Sequence, residues 1–468
     1  MKEEYQQKAA GWMLSLNCPE YLEQAERHLV KEEERANYYL QPETKSPLLN
    51  AIQQEIIEKQ APNLADKEGT GCDSMFQHAK LEELALMYRV FKRVETTLKF
   101  IIQKMQPYIE TRGEKIVMDE ALLKEPVEFT ARLLAFKQEM DVMVERSFQN
   151  DIKFQKNRDV SFQNFMNKQP LSPTYIASYC NNEFVKGLKG VNESETNARL
   201  DAIIRLFCCL HSRDIFVKAY TKFLAVRLLN KTFLSKDAEE LMLQKLKVEC
   251  GHNTVNKLAS MFNDINISKD LMNEFKEKPA FKQMQAAGVE FNAEVLTNGH
   301  WPEQGPAPCT LPPELKDYTM KFEQFYKQKY QNRNITWLFK NGSLEVKPVF
   351  ITAKPYIFAV NCYQAVVLML FNRHAVLTYT EIKDATNIND ADLKEALKYL
   401  CNPKLKILDK ENGKTPDFKP DEKTKLVAAF ANPNVRVNYI PQSVDRTATA
   451  VGQAGAAADL SNGLSPER

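Results

Sequence analysis

The segment Leu81–Lys92 reads LEELALMYRVFK, and the spacing of its apolar residues decides the fold class of the first half of the chain. Apolar side chains recur every three or four positions, at Leu81, Leu84, Tyr88 and Phe91. On an α-helix these positions form one stripe, and the charged residues between them face away from it. Similar segments continue to about residue 260, with polar breaks at residues 41–47, at 62–74 and around Gly113. We therefore predict a mainly α fold whose first half is a helical bundle or an α-solenoid.

The pattern changes at residues 289–295, which read VEFNAEV. Apolar and polar residues alternate there, and a period of two predicts a strand with one buried face. Further on, residues 335–339 and 344–346 flank Asn341-Gly342, a dipeptide typical of tight hairpins because both central turn residues need a positive φ. A third strand candidate covers residues 356–360. This region is therefore predicted to be a small α+β unit.

Three short helical patterns follow the predicted α+β unit. The first covers residues 363–371, the second begins with Thr378 and Glu381 in a capping box, and the third has its apolar residues on one face. Strand-like pieces at residues 405–408 and 435–440 lie on either side of a polar loop. Three helices followed by a β-wing are typical of a winged-helix domain.

Composition excludes several classes of protein. The 63 basic and 61 acidic side chains give a net charge of +2, so no bulk field attracts nucleic acid, anionic lipid or a polyanionic substrate. The N-terminus has no signal-peptide core, and the most apolar stretch, residues 365–371, is too short to span a bilayer. We expect a cytoplasmic or nuclear protein, or one found in both places, with no membrane partner.

The residues that usually carry chemistry are present, but not at useful spacings. The nine cysteines are scattered and never spaced as Cys-x-x-Cys, which favours free thiols in a reducing compartment over disulfides or zinc. Cys208, Cys209 and His211 lie too close along a predicted helix to face one another, so they do not form a nucleophile and base. No glycine-rich phosphate loop and no helical pair of histidines occurs. We therefore predict no catalytic residue, no metal and no cofactor.

The predicted winged helix raises an alternative function, a DNA-binding regulator. Its last helix begins with Asp390 and Asp392 and carries Glu395, which would repel phosphates. Contact with another protein is therefore favoured over contact with nucleic acid. A hydrolase or thiol enzyme is a third hypothesis, and no residue spacing supports it.

Several segments, taken in order, resemble motifs of the cullin family. They include KAYTKFLAVRLLN at residues 218–230, DAEELMLQKLKVECGHNTVNKLASMFNDINISKDL at 237–271 and VLTNGHWP at 295–302. NCYQAVVLMLFN at residues 361–372 is similar to the family's Ser-Thr-x-Gln helix, and the upstream helices look like later cullin repeats. The resemblance covers roughly residues 3–440.

The resemblance gives these regions their expected roles. We expect a helical cullin-repeat arm, the bundle that opens the cullin homology domain, an α+β subdomain for RING-box docking, a winged helix and a disordered tail. Their expected bounds are residues 1–170, 171–285, 286–360, 361–440 and 441–468.

What the resemblance implies about function is a non-catalytic scaffold of a cullin-RING ubiquitin ligase complex, serving ubiquitin-dependent protein degradation. Such a scaffold binds a RING-box protein, which recruits a ubiquitin-conjugating enzyme. The RING subunit adds a strand to the cullin sheet. The docking residues expected from this are Val289, Phe291, Val295, Trp337, Phe339, Leu344, Val346, Tyr356 and Phe358.

The chain departs from the family's pattern at both ends. The first cullin repeat, where substrate adaptors bind, has no counterpart, so we do not expect adaptor binding in the usual way. No lysine matches the family's site for a ubiquitin-like modifier, and none is assigned here. A degenerate scaffold that binds the RING subunit without adaptors is therefore one form of the expected function.

Overall fold

The computed structural model describes residues 2–302, 308–351, 354–403, 405–411 and 417–440. These residues form two compact units. The first contains the chain up to Ser268 together with Glu294–Pro302, and the second contains Lys269–Ala293 and the described residues from 308 onward. The segment Glu294–Pro302 therefore belongs to the first unit although its neighbours on both sides belong to the second.

The first unit is helical, as the apolar stripes predict. Its α-helices are α1 (Lys2–Ser15), α2 (Cys18–Tyr39), α3 (Pro42–Gln53), α4 (Ala61–Ala65), α5 (Cys72–Gln77), α6 (Leu81–Lys92), α7 (Leu98–Val117), α8 (Glu120–Leu123), α9 (Pro126–Phe148), α10 (Ile152–Met166), α11 (Ser172–Asn182), α12 (Glu193–Cys208), α13 (Arg213–Asn230), α14 (Lys236–Cys250) and α15 (His252–Lys276), which continues into the second unit. Short π-helical turns at Gln54–Glu58 and Glu183–Gly187 extend α3 and α11. In α6 the predicted stripe is confirmed, because Leu84, Tyr88 and Phe91 are buried.

The predicted break at Gly113 is wrong, because this glycine lies inside α7 and is buried. A Cβ built on Gly113 would stand only 2.4 Å from ring atoms of Phe165 in α10. Glycine is therefore required by the close approach of two helices, not by a turn. The other two predicted breaks are shorter than expected, since α3 begins at Pro42, a favoured first helical position, and α4 and α5 occupy part of residues 62–74.

A fully buried ion pair joins α13 to α14. The guanidinium of Arg227 donates to both carboxylate oxygens of Glu239, at 2.6 and 2.9 Å, and the two residues are 1% and 0% exposed. The Tyr220 hydroxyl donates to Glu239 at 3.0 Å, and Arg227 also donates to the Asn181 side-chain oxygen at 2.7 Å. Arg227 lies over the rings of Tyr220 and Phe184 as well. The pair is therefore satisfied on all sides, as a buried charge must be.

The second unit contains the end of α15, five further helices and two small sheets among its described residues. Its elements are α16 (Pro279–Ala286), α17 (Pro313–Lys329), β1 (Ser343–Val346), β2 (Ile357–Asn361), α18 (Cys362–Leu370), β3 (Val376–Thr378), α19 (Tyr379–Thr386), α20 (Asp390–Leu400), β4 (Leu408–Lys410), β5 (Lys423–Leu426) and β6 (Arg436–Asn438). One sheet has the order β1-β2-β6 and the other β3-β5-β4. One apolar core of this unit contains Phe358 and Val360 of β2 and Leu393 and Leu397 of α20.

Two of the predicted strands are wrong. Residues 289–295 have no regular secondary structure and form no ladder with a described strand, and residues 335–338 run as irregular chain into a 3-10 turn at Phe339–Asn341. Gly342 has φ −70°, and Asn341 is not in the left-handed region, so Asn341-Gly342 makes no hairpin turn. Among the alternating apolar residues of 289–295 only Ala293 is buried, and the others are partly exposed, so the alternation does not mark a strand with one buried face.

The strands at 344–346 and 356–360 are confirmed as β1 and β2, each within one residue of the predicted bounds. The capping box of Thr378 and Glu381 at the start of α19 is also confirmed.

The predicted wing needs correction. Residues 435–440 contain β6, which pairs in parallel with β2 in the first sheet instead of closing the wing. The wing is β3-β5-β4, and its central strand β5 reads KTKL, too polar to be predicted from hydrophobicity.

In the described part of the chain, no helix combines the length and apolarity needed to cross a membrane.

Candidate protein-docking edge

The strand β1 lies at the edge of the first sheet and pairs with β2 alone. The antiparallel register places Leu344 opposite Val360 and Val346 opposite Phe358. Among the described residues no other strand pairs with β1. The side of β1 that faces away from β2 is therefore an open edge.

The hydrogen-bonding pattern shows which backbone groups point outward. The N–H of Cys362 donates to the C=O of Gly342 at 2.8 Å, which makes these two residues a hydrogen-bonded pair in the same register as the strands. In an antiparallel ladder such pairs alternate with non-bonded ones. Leu344 and Val346 therefore direct their N–H and C=O groups toward β2. Ser343 and Glu345 direct theirs away from the sheet, where an added strand would find them.

The edge strand is held on a well-ordered support. Leu344 and Val346 pack against the apolar core, and Phe358 and Val360 behind them are 1% and 0% exposed. At the end of β2, Asn361 and Gln364 form a reciprocal capping box that starts α18. The side-chain amide of buried Gln364 then donates to the C=O of Tyr439 at 2.9 Å, just after β6. The three strands and α18 are thus tied together, which fixes the position of the open edge.

The strand β6 forms the opposite edge of this sheet. Its N-terminal residue Arg436 reaches over β2 to Glu345 on β1, with an N to O distance of 2.5 Å. Both side chains are more than half exposed, so this ion pair contributes little to stability. Asn438 uses its side-chain oxygen to accept from the N–H of Ile440 at 2.9 Å.

A cluster of aromatic side chains lies in the same unit. Its members are Phe275, Phe281, Phe291, Phe322, Phe325, Trp337 and Phe339. Phe275 and Phe322 are fully buried, whereas Phe291, Trp337 and Phe339 are partly exposed. Trp337 stacks on Phe339 with ring centroids 6.2 Å apart and donates its Nε1–H to Glu323 at 2.6 Å. The cluster therefore presents a fixed, partly exposed apolar surface, which is typical of protein-binding regions.

The structure brings some of the predicted docking residues together and separates others. Phe291, Trp337 and Phe339 meet in the aromatic cluster, and Leu344 and Val346 lie on the edge strand. Tyr356 and Phe358 are core residues, 3% and 1% exposed, and can only support the sheet. Val289 follows α16, where its N–H donates to the C=O of Met284 at 3.2 Å. Val295 belongs to the first unit.

Val295 is part of a clamp that the sequence did not reveal. Its N–H donates to the hydroxyl of Ser268 at 2.7 Å, and the same hydroxyl donates to the C=O of Val295 at 2.9 Å. One turn earlier in α15, the carboxylate of Asp264 accepts from the N–H and hydroxyl of Thr297 and from Trp301 Nε1, at 2.7 to 2.8 Å. Ser268 and Asp264 are buried, at 0% and 6% exposure. The only signal in the sequence is their spacing of four residues, which places both on one helix face.

The thiol hypothesis gains no support from the geometry. Cys208 and Cys209 line a cavity of about 200 Å³ with Lys137, Arg158 and Asp159. Burial and the neighbouring Glu249 raise the pKa of Cys208 to about 12, so the thiol is protonated at neutral pH. Lys137 is already occupied by Asp159, at 2.5 Å. Within the described ranges, no group of three or more histidine, cysteine or acidic side chains is arranged to hold a metal ion.

No feature of the winged helix favours binding to DNA. The carboxylate of Asp390, at the start of α20, contacts Lys383, Lys394 and the hydroxyl of Tyr379. Asp392 pairs with Lys340 at 2.7 Å. Several lysines near this helix are therefore paired with carboxylates of the protein itself and are not free to bind phosphates.

These observations define the class of protein before any comparison. The described residues form a helical unit and an α+β unit that carries an open strand edge. A family model described as the cullin alpha solenoid domain matches residues 1–272, and one described as the cullin alpha+beta domain matches residues 295–430.

Comparison with whole proteins gives the same result. The chain is 36% identical to Cullin-3 of Dictyostelium discoideum over 407 residues, which are 87% of this chain and 53% of that protein. It is 33% identical to Cullin-3A of Arabidopsis thaliana, over 89% of this chain and 56% of that protein. Human Cullin-4A is 32% identical, over 93% of this chain and 57% of that protein. The chain thus belongs to the cullin family, and it spans about half the length of the relatives it matches.

Proposed function

We propose that this chain is the non-catalytic scaffold of a cullin-RING ubiquitin ligase complex and that its second unit binds a RING-box subunit. Membership of the cullin family supports the scaffold role. The observation that carries the docking proposal is the outward row of backbone groups on Ser343 and Glu345. A strand added there would gain main-chain hydrogen bonds, and side-chain pockets beside it would give specificity.

The aromatic cluster supplies the apolar part of the proposed docking site. Phe291, Trp337 and Phe339 are partly exposed, and Trp337 is fixed in place by Glu323. Large, rigid aromatic side chains of this kind commonly contribute most to the binding energy of an interface. A RING-box subunit would therefore be held by backbone pairing at β1 and by apolar contact with these rings.

In this proposal the scaffold itself takes part in no covalent step. The RING-box subunit would bind a ubiquitin-conjugating enzyme, and the ubiquitin would pass from that enzyme to a substrate amine. The raised pKa of Cys208 and Cys209 supports this, since a thiol carrier of ubiquitin would need a readily formed thiolate. We also propose a cytoplasmic or nuclear location, supported by nine free cysteines, which is typical of a reducing compartment.

The test is co-expression of the full chain with a RING-box protein, followed by co-purification. Replacing Glu345 with proline removes one outward N–H, and the edge position tolerates proline because that N–H does not bond to β2. Glu345→Ala is the matched control, since it removes the side chain but keeps the backbone donor. We expect Glu345→Pro to weaken binding at least about tenfold and Glu345→Ala to change it little. If the wild-type chain bound no RING-box protein, the proposed function would be refuted.

A ubiquitin assay then separates binding from function. The purified complex is mixed with activating enzyme, conjugating enzyme, ubiquitin and ATP, and autoubiquitination is followed over time. Binding together with activity would support a working ligase core. Binding without activity would support the degenerate form of the proposal, in which the chain occupies the RING subunit unproductively.

A further inference from the structure

The side chains on the outer part of β1 follow a charge pattern. Ser343 and Glu345 of β1, and Lys347 just after the strand, alternate with Leu344 and Val346, and all three are exposed. Glu345, whose exposed carboxylate also pairs with Arg436 of its own chain, is acidic, and Lys347, two positions further on, is basic. No ion-pair partner is found for Lys347 among the described residues.

This pattern distinguishes the ways in which two copies of the edge could pair. In a symmetric antiparallel pair, the outward residues of one copy must lie opposite outward residues of the other. A two-fold axis at Glu345 would place two glutamates side by side, and like charges directly opposite are destabilising. An axis at Leu344 would pair Ser343 with Glu345. Only an axis at Val346 places each Glu345 beside the Lys347 of the second copy, and it does so twice.

The proline that follows does not block this arrangement. Edge strands are commonly protected by lysine or proline. If the alternation continued past Val346, where β1 ends, the nitrogen of Pro348 would face the β2 side and the outward row would lose no donor there. An exposed lysine such as Lys347 disfavours pairing with most other strands. In the register centred on Val346, however, Lys347 of one copy lies opposite Glu345 of the other. The charge pattern therefore favours a second copy of the chain over strands that carry no matching charges.

We propose that a second copy of this chain pairs with the outer edge of β1, antiparallel and centred on Val346. The contact would comprise four backbone hydrogen bonds, between Glu345 and Lys347 in both directions, and two ion pairs. It is smaller than the roughly 1,200 Å² of a stable interface, so the dimer is weak and reversible, with a dissociation constant of about 0.1–1 mM. In the free scaffold, the second copy would cover the docking edge of β1 until a RING-box strand displaced it. This consequence rests on the proposed function.

Charge reversal gives a sharp test, read by sedimentation velocity of the full chain up to about 1 mM. Glu345→Lys and Lys347→Glu should each raise the dissociation constant at least about tenfold, because each places like charges together twice. An equimolar mixture of the two variants should restore association, and so should the double variant with both changes. Glu277→Lys, at an exposed position distant in sequence from β1, is the matched charge control and should behave as the wild type.

Three results would each overturn the inference: the wild-type chain stays monomeric throughout, the single variants still associate, or the mixture fails to associate. Titration with a RING-box protein separates the two proposals. If the protein bound the monomeric Glu345→Lys variant but the wild type never dimerised, only the self-pairing would fail. If the wild type dimerised but no RING-box protein bound or displaced the copy, only the proposed function would fail.

Discussion

Replacement of Arg227 by methionine tests how the buried ion pair stabilises the helical unit. Methionine keeps much of the apolar stem but removes both guanidinium hydrogen bonds to Glu239. The carboxylate then remains in a site that is 0% exposed, with the Tyr220 hydroxyl as its remaining donor among the contacts described above. Removing one partner of a buried pair costs about 3–5 kcal/mol, because the other charge is left without compensation.

The double variant Arg227→Met with Glu239→Leu is the matched control. Both charges are gone, so no unpaired ion is buried, and the change is expected to be close to neutral or stabilising by about 1–4 kcal/mol. The Tyr220 hydroxyl and the Asn181 side chain each lose a partner, which places the result at the lower end of that range.

Urea unfolding followed by far-ultraviolet circular dichroism measures both variants. The single variant should lower the midpoint clearly without changing the slope of the transition, and the double variant should recover most of the loss. A thermal scan should show a loss of about 2–4 °C for each kcal/mol. A loss below about 1 kcal/mol in the single variant, or a double variant as unstable as the single one, would refute the view that an unpaired buried charge sets the cost.

Three further predictions concern the same unit. Gly113→Ala should destabilise it by about 1–3 kcal/mol, because the new methyl group meets a phenyl ring, whereas Gly11→Ala, with nothing within 4 Å, should stabilise it by up to about 1 kcal/mol. Chemical denaturation measures both variants, and equal effects would contradict the packing argument. Burial and then the nearby Lys8 and Lys31 lower the pKa of His28 in the folded state, so stability should fall as the pH drops below the unfolded pKa near 6.5. His28→Gln should make this loss of stability smaller in melting curves recorded between pH 8 and pH 5. Asp264→Asn should loosen the segment that carries Trp301 and speed hydrogen exchange there, and unchanged protection factors would show that the clamp is not limiting.

The helical half could be predicted from the sequence because its signals are local. In α6 the predicted positions Leu84, Tyr88 and Phe91 are buried, and their spacing can be seen within twelve consecutive residues. The capping box at Thr378 and Glu381 in the second unit is local in the same way, since it needs only four consecutive residues. The break predicted at Gly113 was wrong because the relevant contact is not local. The phenyl ring that requires a glycine there belongs to α10, far along the chain. A residue type alone cannot distinguish a turn from a close helix contact.

The candidate docking edge could be predicted only in part. Leu344 and Val346 could be predicted because they lie in a β-type run beside Asn341-Gly342, but the openness of the edge depends on which strands pair with β1 and β2. That pairing is non-local, and β6 lies far downstream of β1. At residues 289–295 and at Asn341-Gly342 the local signals favoured strands and a hairpin, yet no neighbouring strand completes the ladder. The Asp264 clamp was missed because its acceptor and donors are separated by more than thirty residues.

The clamp also constrains the order in which the protein can be completed during synthesis. Asp264 and Ser268 leave the ribosome well before the residues that they hold, Val295 to Trp301, because Lys269–Ala293 must be made first. The first unit therefore cannot reach its final hydrogen bonding until part of the second unit has already been translated. A nascent chain stalled before residue 295 would leave the carboxylate of Asp264 and the hydroxyl of Ser268 without these bonding partners.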